Sequence, residues 1–515
     1  MKMRYIIGLL SVVFLASCGN TASNEIVTQA IEVSDTVAVD AVLKIVEPET
    51  VKIPLDSFFV EIDTNFHTNK LIIPSNLTST ILFTEKEDQV VAHDGRTAPA
   101  KKHHDMTAYL PIDGSSEHGW LYIGHETNYG DDILGDGGGA TMFEVKLKNG
   151  KWNVVSDFNN VDFSPVRGTG RNCGGSIAPN GMIYTCEETV PQNNRASYIG
   201  GKGHRDTSDV GNLKFHQNFG FMVEVDPKTM KATQKMIQMG RYYHEDIEFM
   251  DDRKTVYLSD DYEPAIFYKF IADVEDDYSQ GQLYAYKQSK DGISGDWLPM
   301  PMDTASLLNP RDIAIDNGAT MLMRHEWFAR VGNKIYIAET GHDSTDWSER
   351  VAQGGVPVKH LRDDHYKGDG VYTDYYGRVL VFDTETNKMA VHLDGGVSSD
   401  GKNVLSNPDC ISIVNLAGTD YLIIHEDING NDYGRVSVTA YKKNHWYNEL
   451  YFLDLSIENP TVDDAVLFAV TPMGAEFTGG LFTPDGKSLF LNIQHPFYGN
   501  GKPYNRAMTV VITGW

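Results

Sequence analysis

Basic residues are scarce in this chain. Against 71 aspartates and glutamates stand 44 lysines and arginines, a formal net charge of -27 over 515 residues. Such a surface repels phosphate backbones, which argues against nucleic acid as a partner. It suits hard cations such as calcium, which take carboxylate oxygens. Cysteine is scarce as well: Cys18, Cys173, Cys186 and Cys410 are all there are. Without Cys18 the number is odd, so at least one thiol stays unpaired unless it bonds another chain. After the N-terminal apolar run no stretch approaches membrane-spanning length, and few segments carry a helical period. Also missing are a Walker loop, a Gly-x-Ser-x-Gly elbow, a His-Glu-x-x-His pair and a paired CxxC. The run from Gly135 to Gly139 lacks the strand and helix that a nucleotide loop needs, and reads as a flexible loop.

What is present begins with a leader. Lys2 and Arg4 precede an apolar core from Ile6 to Ala16, and Leu15-Ala16-Ser17-Cys18 has the form of a lipobox. Residues 1–17 are expected to be a lipoprotein signal peptide, with Cys18 lipidated. Residues 18–50 are rich in Thr, Ser, Val, Asp and Glu with no sustained stripe, the pattern of a flexible tether. The expected location is the cell envelope, periplasm or outer membrane, reached across the inner membrane and held by the lipid. Residues 51–515 show no linker and are expected to form one catalytic domain.

That domain repeats itself. Segments ending at Glu126, Glu187, Asp260, Glu339, Glu426 and Gln494 are each a β-prone run that delivers a polar side chain. Upstream of each lies a second polar cluster, at His104-Asp105, Arg171 to Cys173, Arg241 to Glu245, Arg324 to Glu326, Asn407 to Asp409, and Gly474 to Glu476. The distance between the two suits a hairpin, and turn residues such as Asn180-Gly181 sit between them. Further strand pairs fill the intervals. The spacing predicts an all-β fold, a six-bladed β-propeller with long inserted loops, whose innermost strands carry acids into one end of a central channel.

The pooled candidates are one thiol, Cys173, and the carboxylates Glu126, Glu187, Glu188, Glu245, Asp260, Asp261, Glu326, Glu339, Asp409, Glu426, Asp427 and Glu476. Acids at strand ends are costly unless paired, and a metal is the natural partner. Carboxylates favour calcium, and a thiolate among them points to a transition metal beside it. A Cys173–Cys186 disulfide across the hairpin is the alternative use of that thiol. Arg171, Arg241 and Arg324 stand in the same clusters. There an arginine either grips a phosphate bidentately or pairs with its acidic neighbours.

Several of these stretches resemble the PhoX-type alkaline phosphatases: Arg171-Asn172-Cys173-Gly174-Gly175 with Thr185 to Thr189, Gly240 to Glu245, Gly474 to Gly479, and Phe482 through Pro496. The resemblance runs in order from about residue 100 to the end. It implies a propeller phosphomonoesterase with an iron and calcium cluster, Fe3+ and Ca2+, that scavenges phosphate outside the cytoplasm. By position, Cys173 would ligate iron, and Glu126, Glu187, Glu245, Asp260, Glu326 and Glu476 would be metal ligands. Arg324, with Arg171 beside it, would hold the phosphate of a small monoester while a metal-activated oxygen attacks phosphorus. The chain is expected to act as a monomer. It departs from the family in its lipobox, where twin-arginine export is usual, and in Arg171, where a small or amide residue is expected. It is also shorter than typical members.

Two other functions use the same acids. A calcium-dependent propeller lactonase or phosphodiesterase would not need Cys173. A non-catalytic, calcium-stabilised binding propeller would have no use for Arg324.

Overall fold

The computed structural model describes residues 53–62, 68–135, 137–194, 206–428, 443 and 446–515. The expected leader, Cys18 and the tether lie outside them. Strand β1 (Thr78–Thr84) precedes six hairpins: β2 (His104–Pro111) with β3 (His118–His125), β4 (Asn172–Ile177) with β5 (Ile183–Glu187), β6 (His244–Phe249) with β7 (Thr255–Asp260), β8 (His325–Val331) with β9 (Lys334–Glu339), β10 (Pro408–Leu416) with β11 (Thr419–Glu426), and β12 (Glu476–Phe482) with β13 (Ser488–Gln494). Strand β14 (Met508–Thr513) follows them. The six segments and six clusters of the sequence pattern are the second and first strands of these hairpins.

Each hairpin starts a sheet, antiparallel throughout except for one parallel pairing, Val90 and Val91 with Phe158 and Asn159, in the first. Behind β5 come Met222–Asp226 and Lys231–Lys235, behind β9 Arg378–Asp383 and Lys388–Asp394, and behind β11 Glu449–Asp454 and Ala465–Val470. The sheet of β6 and β7 has five strands, and that of β2 and β3 has seven. The last sheet runs β12, β13, β14, β1, so a strand from the N-terminal side completes a sheet made from the C-terminal one. The first strands meet in sequence, β2 with β4, β4 with β6, β6 with β8, β8 with β10 and β10 with β12, and β12 returns to β2. The fold is all-β and propeller-like.

Apolar side chains fill the spaces between neighbouring sheets. Phe83, Tyr109, Phe143, Trp152, Phe490 and Val511 join the first sheet to the last, with the Tyr109 and Phe490 rings stacked at 5.6 Å and Trp152 edge-on to Phe490 at 5.2 Å. The Trp152 indole donates to Ser488 Oγ at 2.9 Å across that seam. Burial of this kind, about 25 cal/mol per Å² of apolar surface, is what holds one sheet to the next. No described helix is long and apolar enough to cross a membrane.

One irregularity recurs. His104 pairs with His125, but the next pair is Thr107 with Ile123, so three residues of β2 span two of β3. The same extra residue follows Asn172 in β4, His244 in β6, His325 in β8 and Pro408 in β10. In β12 the shift comes after Thr478. A bulge re-aims the side chains around it.

Candidate metal centre

The bulges and the strand ends build the site together. The residue after the first pair of five first strands is Asp105, Cys173, Glu245, Glu326 or Asp409, and Thr478 precedes the shift in β12; all six line one cavity of about 90 Å³. That is well above the ~10–15 Å³ one water needs. A second set comes from the residue just past each second strand. Glu126, Glu188, Asp261, Thr340 and Asp427 donate their backbone N–H to the carbonyl of His103, Arg171, Tyr243, Arg324 and Asn407, at 2.9–3.2 Å. This closes each hairpin at its channel end. All of that set except Thr340 line the cavity, as do Glu476, Gln494 and His495.

Arg171 and Arg324 immediately precede first strands, with left-handed φ of 46° and 51°. That conformation costs a non-glycine residue about 1 kcal/mol or more and is kept where the surroundings impose it. Arg324 Nε reaches Asp261 at 2.8 Å, and its Nη2 lies 3.1 Å from Glu326. Arg171 Nη2 lies 2.6 Å from Glu188 and pairs closely with Glu126.

Nine carboxylates and one thiol thus face two guanidiniums. Burial, and then their neighbours' negative charge, push Asp105, Glu245 and Asp409 well above the usual carboxylate range. Burial likewise raises Glu188, Glu326 and Glu476, against the pull of the arginines on the first two. Glu126 is held low, at about 2: burial would raise it, but Arg171 together with His495 and His103 pulls it down further. The Cys173 thiol is pushed up by burial and then by Glu245. Such groups are stable as anions only beside added positive charge. Their donor atoms are already gathered: Cys173, Glu188 and Glu245 form one set, Glu245, Glu326 and Asp409 a second, and Asp409, Asp427 and Glu476 a third, each within 4.8 Å. Glu245 and Asp409 are shared between sets. The residues present therefore fit a cluster of several metal ions.

Of the residues expected from the sequence, Cys173, Glu126, Glu245, Glu326, Glu476, Arg171 and Arg324 come together in this cavity. Glu187 and Asp260 do not. Glu187 accepts from Lys235 Nζ at 2.7 Å and from the amides of Gly220 and Phe221. Asp260 is held by Arg311. Glu339 and Glu426 are turned away in the same manner, toward His360 and toward the amides of Ser406 and Glu449. All four are the last residues of their second strands, and after Glu187, Asp260 and Glu426 it is the next residue, Glu188, Asp261 or Asp427, that lines the cavity. Arg241 is also outside the cavity and holds the carbonyls of Phe219 and Pro191. Cys173, Cys186 and Cys410 are free thiols, so the disulfide across the hairpin does not form. Asp105 enters the cavity from a cluster the sequence had marked without assigning it a ligand role.

The Arg-Asn-Cys-Gly-Gly motif has a steric reason. A Cβ on Gly174 would sit 2.1 Å from the Glu245 carbonyl oxygen, and one on Gly175, at φ 141°, 2.1 Å from that of Tyr184. Gly174 lets β4 lie against β6 and Gly175 lets it lie close to β5, while the bulge turns the thiol inward.

A family model described as alkaline phosphatase PhoX matches residues 140–497. Among solved structures, Pseudomonas fluorescens PhoX in complex with vanadate, a transition state analogue, aligns with a TM-score of 0.67 at 20% identity, over 88% of this chain and 97% of that one. Trypanosoma rangeli sialidase aligns at TM-score 0.37 and 10% identity over 86% and 60% of the two chains. A Xanthomonas campestris gluconolactonase aligns at 0.30 and 9% over 81% and 98%. Those two scores are too low to bear on this fold. No curated protein matches in a sequence search.

Proposed function

The chain belongs to the alkaline phosphatase PhoX family and is a phosphatase, and on that premise we propose that it hydrolyses phosphate monoesters in the acid-lined cavity at an iron and calcium cluster. The reading takes the six sheets as six propeller blades around that cavity. It is carried by one observation: two guanidiniums stand among nine carboxylates and a thiol at the channel ends of six hairpins.

Cys173, Glu188 and Glu245 would hold iron, since a bound transition ion stabilises a buried thiolate. Glu126, Glu326, Asp409, Asp427 and Glu476 offer the oxygens calcium takes. Bound there, the ions would supply an activated nucleophile and neutralise phosphate oxygens. The chain itself aims the substrate. Asp261 and Glu326 fix the plane of the Arg324 guanidinium, and Glu126 and Glu188 fix that of Arg171. A planar fork so held can grip phosphate oxygens and follow their charge as it spreads in the transition state. The related Pseudomonas fluorescens protein takes vanadate, a transition state analogue, as such a grip requires. Arg171 would be this chain's second phosphate contact.

The proposal includes a lipid anchor at Cys18, a tether over residues 18–50, a catalytic unit over residues 51–515, an envelope location and a monomeric enzyme that scavenges phosphate. Elemental analysis of protein purified without chelator, with p-nitrophenyl phosphate turnover before and after EDTA, tests the reading. Iron and calcium at more than one atom each per chain, activity lost on chelation, and a Cys173→Ser variant that loses iron are expected. Calcium alone with no turnover would leave a binding propeller.

A further inference from the structure

At the rim of the cavity stands a donor set of a different chemistry. His103 precedes β2 and His495 follows β13, both with left-handed φ, 55° and 56°. Their rings meet edge to face with centroids 4.1 Å apart. Nitrogen atoms of both and a Glu126 carboxylate oxygen lie within 4.8 Å of one another. His103 Nδ1 is 3.0 Å from the backbone oxygen of Glu126. A carbonyl only accepts, so this nitrogen carries the hydrogen and Nε2 keeps its lone pair. That is how a metal-ligating histidine is oriented: one nitrogen is fixed by a backbone carbonyl and the other is left to the ion. His495 is 38% exposed at its side chain, and the set opens on a vestibule of about 470 Å³ lined also by Arg171, Asp427, Trp446 and Phe497.

We propose that His103, Glu126 and His495 form a binding site for one divalent transition ion of the zinc class, at the rim of the acid-lined cavity, whose lining shares Glu126 and His495 with it. Two imidazoles and one carboxylate select such an ion over calcium, and three protein ligands leave a coordination position open. Glu126 would link it to the cluster. The assignment stands whatever ester the enzyme cleaves.

Cobalt(II) is the probe, added to the calcium-loaded protein as purified. Wild type is expected to take up one equivalent with visible ligand-field bands that zinc displaces. His103→Gln and His495→Gln are each expected to weaken uptake by more than the roughly 10–100-fold that loss of a hydrogen-bond partner behind a ligand costs, with calcium content unchanged. His495→Gln, at a partly exposed position, provides the reading should the other variant not fold. No uptake by wild type, or bands that survive in the variants, overturns the site. Phosphatase turnover, measured on the same samples, reports separately on the cluster.

Discussion

A one-residue difference along a second strand separates a side chain that reaches the cavity from one held in a structural ion pair. Glu187→Gln and Asp260→Asn each strip a buried cation of its partner, which costs about 3–5 kcal/mol, so urea midpoints should fall sharply. Asp409→Asn is expected to do the reverse. It removes one of the mutually repelling acids, so the chelated protein should melt no lower than wild type, while turnover drops by at least about 100-fold. A fall in the chelated melting temperature of Asp409→Asn would count against the cluster. Glu339 gives a pH test outside the cavity. Burial alone would raise its carboxyl, but His360, 2.8 Å away, with His325 and Arg378, holds it at about 2. Its folded value lies below the ordinary 4.5, so its contribution is complete above pH 4.5 and is lost as pH falls toward 2. That contribution is about 3 kcal/mol. Urea unfolding from pH 6 to pH 3 should show the loss in wild type, and Glu339→Gln should flatten it.

Among the elements, the first-strand bulge decides which side chains enter the channel. Gly174→Ala forces a Cβ against the Glu245 carbonyl and is expected to cost about 1–3 kcal/mol and to lower turnover as Cys173 shifts. Gly501→Ala, with open space at its Cβ, should stay within about 0.5 kcal/mol. A Gly174→Ala protein as stable and active as wild type would show that β4 and β6 do not need this close approach. The bulge also explains what the sequence disclosed. Apolar runs and turn residues located all twelve hairpin strands, and polarity marked their channel ends. Period-two alternation counts regular pairs, however, and cannot see an inserted residue or a strand that ends one position early. The pattern therefore does not tell Glu187 from Glu188, or Asp260 from Asp261, as the residue that reaches the cavity. Asp105 sits in a cluster with His104, and only the contact of β2 with β12 brings it beside the other acids. His103 and His495 are 392 positions apart in sequence, and no local pattern joins them.

For the molecule as a whole, ion binding and stability are linked. Ions that bind only the folded state add RT ln(1 + [L]/Kd) to its stability, about 2.7 kcal/mol at a hundredfold excess over Kd. The melting temperature should rise with free calcium and fall on chelation, and a melting temperature indifferent to both would mean that the acids tolerate one another unaided. The ring depends equally on β1. It pairs with β14 from Thr78 with Thr513 to Thr84 with Met508, so a chain starting after residue 84 should lose cooperative unfolding. That pairing also sets a timetable for synthesis. Since residues 78–84 wait for residues 508–513, a nascent chain carries an unpaired strand edge for almost the whole of its translation. A ribosome stalled a few dozen codons early would release an open arc, with the acids on its inner curve facing no opposite wall.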